Sequence, residues 1–373
     1  MRFIAGTGDY LPVIVAVFAA AGAIALVLTP GIRRLALRVG LLDSPNHRRV
    51  NTRPMPRAGG LAIVAAFAVV AVAFTVLDAD GSVVPRPLFL ETEELVALLL
   101  GGLAAGVIGA LDDWFDLRAR WQLAGQVALA AFAVLLGIGV GAINNPFGTG
   151  TITFEGPFAA GFTMVWIVGM INSINFIDGL DGLSSGIALI AALTLGVISL
   201  TTQIGQPYIA VLCFALAGAL LGFLRWNFHP AAIFAGTSGV MFIGYTLAVL
   251  SILGSAKVAV ALLVLAVPII DTFWIIVRRL SAGRSPFTPD RGHIHHRLLD
   301  LGLSHRQTVM LIYAICAALA VLSLLLSGAN QVYAFLGVLV GFGVVLLLLT
   351  RGEAEDALEA ESYDEEPGPA AGV

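Results

Sequence analysis

Polar residues recur at every third position in INSINFIDGLDGL, residues 171–183, between two long apolar stretches. They are two carboxamides and two carboxylates, Asn172, Asn175, Asp178 and Asp181. Residues three apart in a helix are offset by about 60°, so all four share a face only if the helix loosens at Gly179 and Gly182. Such oxygens suit a hard cation like Mg²⁺ that also binds phosphate. Capping of a helix end is the alternative, but it needs only one such residue.

A second pair of carboxylates, Asp112 and Asp113, lies in GALDDWFDLRAR at the end of another apolar stretch. Adjacent carboxylates repel, which raises one pKa unless a cation neutralises them. Two structural alternatives are a polar stop at the membrane surface and ion pairs with Arg118 and Arg120. Taken alone, this pair favours the structural alternatives.

A third group lies in TPDRGHIHHRLLDLGLSHR, residues 288–306. Clustered imidazoles and a guanidinium suit an anionic ligand such as a nucleotide diphosphate, and they are His293, His295, His296 and Arg297. A Zn²⁺ site is the rival, but the segment lacks cysteine and oxygen ligands dominate elsewhere. A solvated basic loop is the third interpretation, and we rank it below an anion site.

Two further segments carry weaker signals. DSPNHRRVNTRPMPRAGG, residues 43–60, has prolines and glycines that indicate a shaped loop, although membrane topology alone explains its arginines. Asp271 in PIIDTFWIIVRR lies inside an apolar stretch, where a carboxylate is costly and predicts function. It serves equally well as a structural hydrogen-bonding group for a neighbouring helix.

The elements that position these residues are membrane helices. Of the 373 residues, 58% are hydrophobic and 12% charged, and the mean hydropathy is +0.95. Since a bilayer core needs about 20 apolar residues per helix, we predict an all-α, polytopic integral membrane protein. Its eleven expected spans are 11–29, 59–77, 94–111, 122–141, 158–171, 183–202, 208–225, 238–253, 257–277, 309–327 and 331–350.

Charge predicts the orientation. With the N-terminus outside and the C-terminus in the cytosol, 17 of the 20 Lys and Arg residues fall on the cytosolic side. The carboxylate pairs and all six histidines lie there too, so we expect a multi-pass protein of the inner (plasma) membrane with a cytosolic active site. Residues 1–350 are predicted as one transmembrane domain. Residues 351–373, rich in acids, are predicted as a disordered cytosolic tail.

Together these segments resemble the polyprenyl-phosphate N-acetylhexosamine-1-phosphate transferase family over about residues 30–310. The matching pieces are PNHRRVNTRPMPRAGG, LDDWFDL, NSINFIDGLDGLSSG, NFHPAAIFAGTSG, PIIDTFWIIVRR and HIHHRLLDLG. NFHPAAIF and HIHHR resemble the branch that uses UDP-N-acetylglucosamine. The order and spacing of all six pieces make the resemblance specific.

The resemblance implies transfer of N-acetylglucosamine-1-phosphate from UDP-GlcNAc to undecaprenyl or decaprenyl phosphate, with release of UMP. It implies Mg²⁺, with Mn²⁺ as the alternative, and either direct attack by the lipid phosphate or a covalent intermediate on an aspartate. The expected partners are UDP-GlcNAc, polyprenyl phosphate and the bilayer; a homodimer is allowed for, and no nucleic acid is expected.

The resemblance also implies roles for individual residues. Asp112 is the expected base. The catalytic group comprises Asp112, Asp113, Asp178 and Asp181. The metal group comprises Asp112, Asp113, Asp178, Asn175 and the Thr237 position. The substrate-binding group comprises Asn172, Asn175, Asn227, His293, His295, His296, Arg297 and Asp271.

The sequence departs from the family pattern at three positions. The family usually has a metal-binding Asp where this chain has Thr237, often Lys or Arg at Gln122, and His at Asn51. A catalytically impaired paralogue that binds lipid-linked sugars, or a transferase for another UDP-N-acetylhexosamine, are therefore alternatives. A secondary transporter is disfavoured, because the polar residues gather at helix ends rather than at the bilayer midplane.

Overall fold

The computed structural model describes residues 3–43, 54–87, 90–145, 150–202, 204–253, 258–285 and 292–364. As predicted, the described chain is almost entirely α-helical. Its helices are α1 (Thr7–Val39), α2 (Gly60–Leu77), α3 (Thr92–Phe115), α4 (Ala119–Leu135), α5 (Gly156–Ile177), α6 (Leu183–Ser199), α7 (Pro207–Asn227), α8 (Gly236–Ile252), α9 (Val258–Val264), α10 (Ala266–Ser281), α11 (Ile294–Asp300), α12 (His305–Leu325) and α13 (Ala329–Asp364).

Two short antiparallel hairpins interrupt the described helices. β1 (Leu42–Asp43) pairs with β2 (Met55–Pro56), and β3 (Ala142–Asn144) pairs with β4 (Thr151–Thr153). The β1–β2 hairpin brings together the two ends of the loop within residues 43–60 for which the sequence predicted a defined conformation. The middle of that loop, with Asn51, lies outside the described residues.

The helices reproduce the positions of the predicted spans. In the described chain, seven are long and apolar enough to cross a membrane, or up to eight if one bent pair is a single span. Three more are apolar but shorter, at α4, α6 and α8. Each predicted span thus has a counterpart, while the total of eleven crossings and their direction stay predictions.

The predicted span at 257–277 is the bent pair. Helices α9 and α10 are bent by 77° at Leu265. Pro268 is the third residue of α10, where it lacks an N–H donor and its ring crowds the carbonyl of Val264, the last residue of α9. The proline explains why one apolar stretch forms two helices.

Helix α5 is longer than predicted, since the span was expected to end at residue 171 and a loop to follow. The helix continues to Ile177, which places Asn172 and Asn175 inside it. The Asn172 amide donates to the Val168 carbonyl one turn earlier, at 2.8 Å, and to Gln126 Oε1 of α4, at 2.6 Å. These bonds satisfy a polar side chain within the helix, so the apolar run underestimates the helix length.

The cytosolic boundary predicted at residue 350 falls within a helix. Helix α13 is assigned from Ala329 to Asp364, and residues 365–373 lie outside the described part. Alanine and glutamate dominate residues 353–361, and both favour helix. The division of the chain at residue 350 stays a prediction.

Helices α3 and α8 approach closely, and this approach builds one wall of the site. A Cβ added at Gly109 of α3 would lie 2.4 Å from the Thr237 carbonyl oxygen and 2.5 Å from Ser238 Cα. Only glycine permits that distance. The contact places the end of α3, with Asp112 and Asp113, beside the first turn of α8.

Candidate active site

A cavity of about 660 Å³ opens where the ends of several helices meet. Seven of the thirteen residues predicted for the site line it. They are Asp113, Asn175, Asp178, Asp181, Asn227, Thr237 and His296. The other six lie behind or beside this lining, and they are Asp112, Asn172, Asp271, His293, His295 and Arg297.

Adjacent carboxylates on α3 face different surroundings. Asp113 lines the cavity, and its two oxygens accept from the backbone N–H groups of Thr237, at 2.8 Å, and Ser238, at 3.0 Å. Those amides belong to the first turn of α8, where the helix dipole favours a negative charge. Asp113 is thereby fixed at the start of α8.

Asp112 faces the turn between α3 and α4. Its Oδ1 accepts from the Leu117 N–H, at 3.0 Å, and from Gln122 Nε2, at 2.7 Å. Successive residues on a helix lie about 100° apart, which explains why the two carboxylates diverge. Neither carboxylate forms an ion pair with Arg118 or Arg120, all four residues being within the described chain.

The four polar residues of the motif at residues 171–183 face two directions. Asn175, Asp178 and Asp181 line the cavity, whereas Asn172 turns toward Gln126 on α4. The helix ends at Ile177 and α6 begins after Gly182. Three of the four motif residues therefore share one site, and the fourth joins α5 to α4.

Asp178 follows the last residue of α5 and faces the cavity. One carboxylate oxygen, Oδ1, accepts a short hydrogen bond from the Ser184 hydroxyl. Burial, reinforced by the charges of Asp113 and Asp181, raises the pKa of Asp178 to about 6. A partly buried acid that faces a cavity with other carboxylates suits a bound cation, which would favour its charged form.

Asp181 joins two histidines that were not predicted as site residues. Its Oδ2 lies 2.8 Å from His229 Nδ1 and accepts from the Ala231 N–H at 3.0 Å. Its own backbone N–H donates to His305 Nε2, at 3.0 Å. The two imidazole rings stack with centroids 4.1 Å apart, and both line the cavity. The sequence signal was only their place in predicted cytosolic loops, in NFHP and LSHRQ.

Arg57 also lines the cavity, although the sequence explained it by membrane topology alone. Asn227, at the end of α7, is held by the Ser185 hydroxyl, at 2.9 Å, and by donation to the Ile233 carbonyl, at 3.0 Å. The asparagine thus fixes the loop between α7 and α8. That loop carries His229 and leads into the first turn of α8, which carries Thr237.

The histidine motif is anchored from within the membrane body. Asp271 of α10 is fully buried and accepts from the Ile294 N–H at 2.8 Å, while its Oδ2 lies 2.7 Å from His293 Nδ1. Arg297 Nε donates to the Gly292 carbonyl at 3.0 Å. Of the two roles considered for Asp271, the geometry supports structural hydrogen bonding, at the start of α11.

His295 packs behind the cavity against the turn after α5. A Cβ added at Gly179 would lie 2.1 Å from His295 Nε2. Burial, with the neighbouring imidazoles, holds the pKa of His295 well below its usual value, so this ring is neutral. His295 thus lies behind the cavity wall, whereas His296 reaches the cavity, and the anion-binding role expected for the histidine motif stays a prediction.

The oxygen atoms that could hold a hard cation lie on the cavity wall. Asp113, Asn175 and Asp178 contribute carboxylate and amide oxygens, and Thr237 contributes a hydroxyl. This donor set fits Mg²⁺, which prefers oxygen ligands. The aspartates come from two elements, the end of α3 and the turn after α5.

Comparison with known proteins places this arrangement in a family. A model of the family described as Glycosyl transferase family 4 matches residues 95–255, which run from α3 to just beyond α8. A Bacillus subtilis protein named "probable undecaprenyl-phosphate N-acetylglucosaminyl 1-phosphate transferase" is 36% identical, over 82% of each chain. The chain belongs to glycosyl transferase family 4.

Other relatives match over similar lengths. The decaprenyl-phosphate N-acetylglucosaminephosphotransferase of Mycolicibacterium smegmatis is 35% identical over 83% of this chain and 80% of its own. The undecaprenyl-phosphate alpha-N-acetylglucosaminyl 1-phosphate transferase of Yersinia pestis is 30% identical over 79% of each chain. The predicted resemblance to polyprenyl-phosphate N-acetylhexosamine-1-phosphate transferases is confirmed.

Proposed function

We propose that this protein transfers N-acetylglucosamine-1-phosphate from UDP-GlcNAc to undecaprenyl or decaprenyl phosphate, in a reaction that depends on Mg²⁺. The product would begin a lipid-linked glycan of the cell envelope, on the cytosolic face of the plasma membrane. One observation carries the proposal. Carboxylates from the end of α3 and the turn after α5 converge with His296 on one cavity, in a chain whose relatives are named for this transfer.

In the proposed reaction, an oxygen of the lipid phosphate forms a bond to the β-phosphorus of UDP-GlcNAc. The bond from that phosphorus to the bridging oxygen breaks, and UMP leaves with the bonding electrons. Mg²⁺, when bound, supplies positive charge that stabilises the transferring phosphoryl group. Asp113 stays fixed by α8, and His296 with Arg57 lines the path of the phosphates.

The proton of the lipid phosphate needs an acceptor at the cavity. Asp112 was the residue expected for this role, but it faces the α3–α4 turn. Asp178 lines the cavity and takes this role when Asp113 and Asn175 hold the cation, since a carboxylate bound directly to Mg²⁺ is a poor base. We therefore move the proposed base to Asp178 and assign Asp112 the role of holding the turn.

Direct attack and a covalent aspartyl intermediate make different predictions. Only the covalent route exchanges labelled UMP into UDP-GlcNAc when the lipid acceptor is absent. Purified protein incubated with UDP-GlcNAc, Mg²⁺ and labelled UMP measures this exchange. Exchange at a rate near turnover supports the covalent route, and exchange only with lipid present supports direct attack.

A catalytically impaired protein that binds lipid-linked sugars is the second candidate. Thr237 favours it, because a neutral hydroxyl faces the cavity and is a poorer Mg²⁺ ligand than a carboxylate. UMP release from UDP-GlcNAc and polyprenyl phosphate, in the native protein and in Thr237→Asp, separates the two. Activity of the native protein supports the transferase; activity only in Thr237→Asp supports the second candidate.

If neither the native protein nor Thr237→Asp releases UMP, the result would contradict UDP-GlcNAc as the donor. The same assay with other UDP-N-acetylhexosamines then tests a different sugar. The matched control is Asp116→Asn, because Asp116 is exposed at the end of α3 and has a positive φ of 50°, which asparagine tolerates. That variant should keep native activity.

A further inference from the structure

Asp181, His229 and His305 form a compact group of metal-binding side chains. One ligand atom from each lies within 4.8 Å of the others. They come from three separate elements: the turn before α6, the loop after α7 and the first residue of α12. We propose that these three residues bind a transition-metal cation such as Zn²⁺ or Co²⁺, at a site distinct from the oxygen-rich Mg²⁺ site.

The donor set argues for this class of cation. Two imidazole nitrogens and one carboxylate oxygen suit zinc, cobalt or nickel, whereas Mg²⁺ takes oxygen ligands. The oxygen set of Asp113, Asn175 and Asp178 contains no nitrogen ligand. The two sets therefore differ in the cation they prefer, although both face one cavity.

His305 is held in a state that can coordinate a metal. His305 Nε2 accepts the Asp181 N–H, so this nitrogen carries a lone pair and no proton. His229 stacks on His305 with 24° between the ring planes. The contact of 2.8 Å between His229 Nδ1 and Asp181 Oδ2 holds a proton, which the pair would give up on binding a metal.

The surrounding contacts orient the ligands. The Ala231 N–H donates to Asp181 Oδ2 at 3.0 Å. Ser304 and Gln307 form a capping box that fixes the first turn of α12, where His305 lies. Such outer contacts are typical of metal ligands. Among the described residues, Asp181 Oδ1 has no hydrogen-bond partner and is available to a cation.

The spacing requires only small movement. Ligand atoms about 2.0–2.2 Å from a tetrahedral Zn²⁺ lie roughly 3.3 Å apart. The ligand atoms of Asp181, His229 and His305 lie within 4.8 Å of one another, so side-chain movement of roughly 1.5 Å brings them to this spacing. Metal binding would replace the hydrogen bonds of the group and release any proton shared between Asp181 and His229.

Cobalt titration tests the site directly. The full-length protein, without a polyhistidine tag, is stripped with a chelator and titrated with Co²⁺ in detergent. We expect visible absorption bands that saturate at one equivalent, that Zn²⁺ abolishes and that millimolar Mg²⁺ leaves in place. His229→Gln and His305→Gln should each weaken Co²⁺ binding at least tenfold, and Asp116→Asn should bind as the native protein does.

Two outcomes would overturn the proposal. One is no saturable Co²⁺ or Zn²⁺ binding by the native protein, a result that needs no variant to fold. The other is unchanged affinity in both histidine variants. Because the titration contains neither UDP-GlcNAc nor lipid, its result is independent of the proposed transfer reaction.

Discussion

Asp271 holds His293 through a contact of 2.7 Å between Oδ2 and Nδ1, and it holds the next residue, Ile294, through the backbone N–H. The carboxylate belongs to α10 and the imidazole precedes α11. A buried acid thus fixes the start of the short helix that carries the rest of the histidine motif. His296 reaches the cavity because of this anchor.

Removing the anchor should reduce activity without touching the cavity. In Asp271→Leu, the Ile294 N–H and the His293 ring lose their buried partner, which costs about 1–3 kcal/mol. We expect a lower unfolding temperature and at least tenfold slower UMP release. Asp300→Asn, at the exposed end of α11, is the control, and equal effects of both changes would contradict the anchoring role.

Gly179 should tolerate no side chain, because its missing Cβ makes room for His295. Gly179→Ala should lower the free energy of unfolding by about 1–3 kcal/mol through overpacking. Removing the imidazole in the double variant Gly179→Ala/His295→Ala should recover part of that lost stability. Gly161→Ala in α5, where nothing lies within 4 Å, should be neutral or stabilising; purely additive effects of the pair would argue against the contact.

Asp178 should destabilise the metal-free protein at neutral pH. The pKa of its carboxyl is about 6 in the fold and 3.8 ordinarily, so the fold favours the protonated form. Stability from this group is present at low pH and is lost as the pH rises from about 4 past 6. Asp178→Asn should therefore raise the free energy of unfolding by up to roughly 3 kcal/mol at pH 8, and by much less at pH 4.5.

Thermal unfolding in detergent with a chelator measures this difference at the two pH values. Asparagine keeps an acceptor for the Ser184 hydroxyl, so the comparison isolates the charge. Adding Mg²⁺ should stabilise the native protein more than the variant. A stability difference that does not change with pH would contradict the assignment.

Gln122 should be required as a donor to Asp112. Gln122→Glu places two carboxylates within 3 Å in the α3–α4 turn, and we expect it to lower the free energy of unfolding by about 1–3 kcal/mol near neutral pH. Gln122→Lys keeps a donor and adds a complementary charge, so it should fold normally. Unfolding curves of both variants give the comparison, and a stable Gln122→Glu protein would count against it.

Much of this organisation was predictable because local sequence determines it. Apolar runs predicted where the helices lie, and the spacing of Asn175, Asp178 and Asp181 predicted a shared site. Helix geometry alone makes Asp112 and Asp113 point apart. The sequence did not predict which of them meets α8, because that depends on amides more than 120 residues later. The pairing of His229 with His305 likewise depends on two loops that meet only in the folded chain.

Asp113 accepts a hydrogen bond from the backbone N–H of Thr237, and the Thr237 side chain takes no part in that bond. Any residue except proline at position 237 can therefore keep that hydrogen bond. The side chain at position 237 can thus vary while the backbone contact with Asp113 stays the same. Substitution there should diversify the chemistry of the cavity among descendants of one ancestor while the architecture of the helices is conserved.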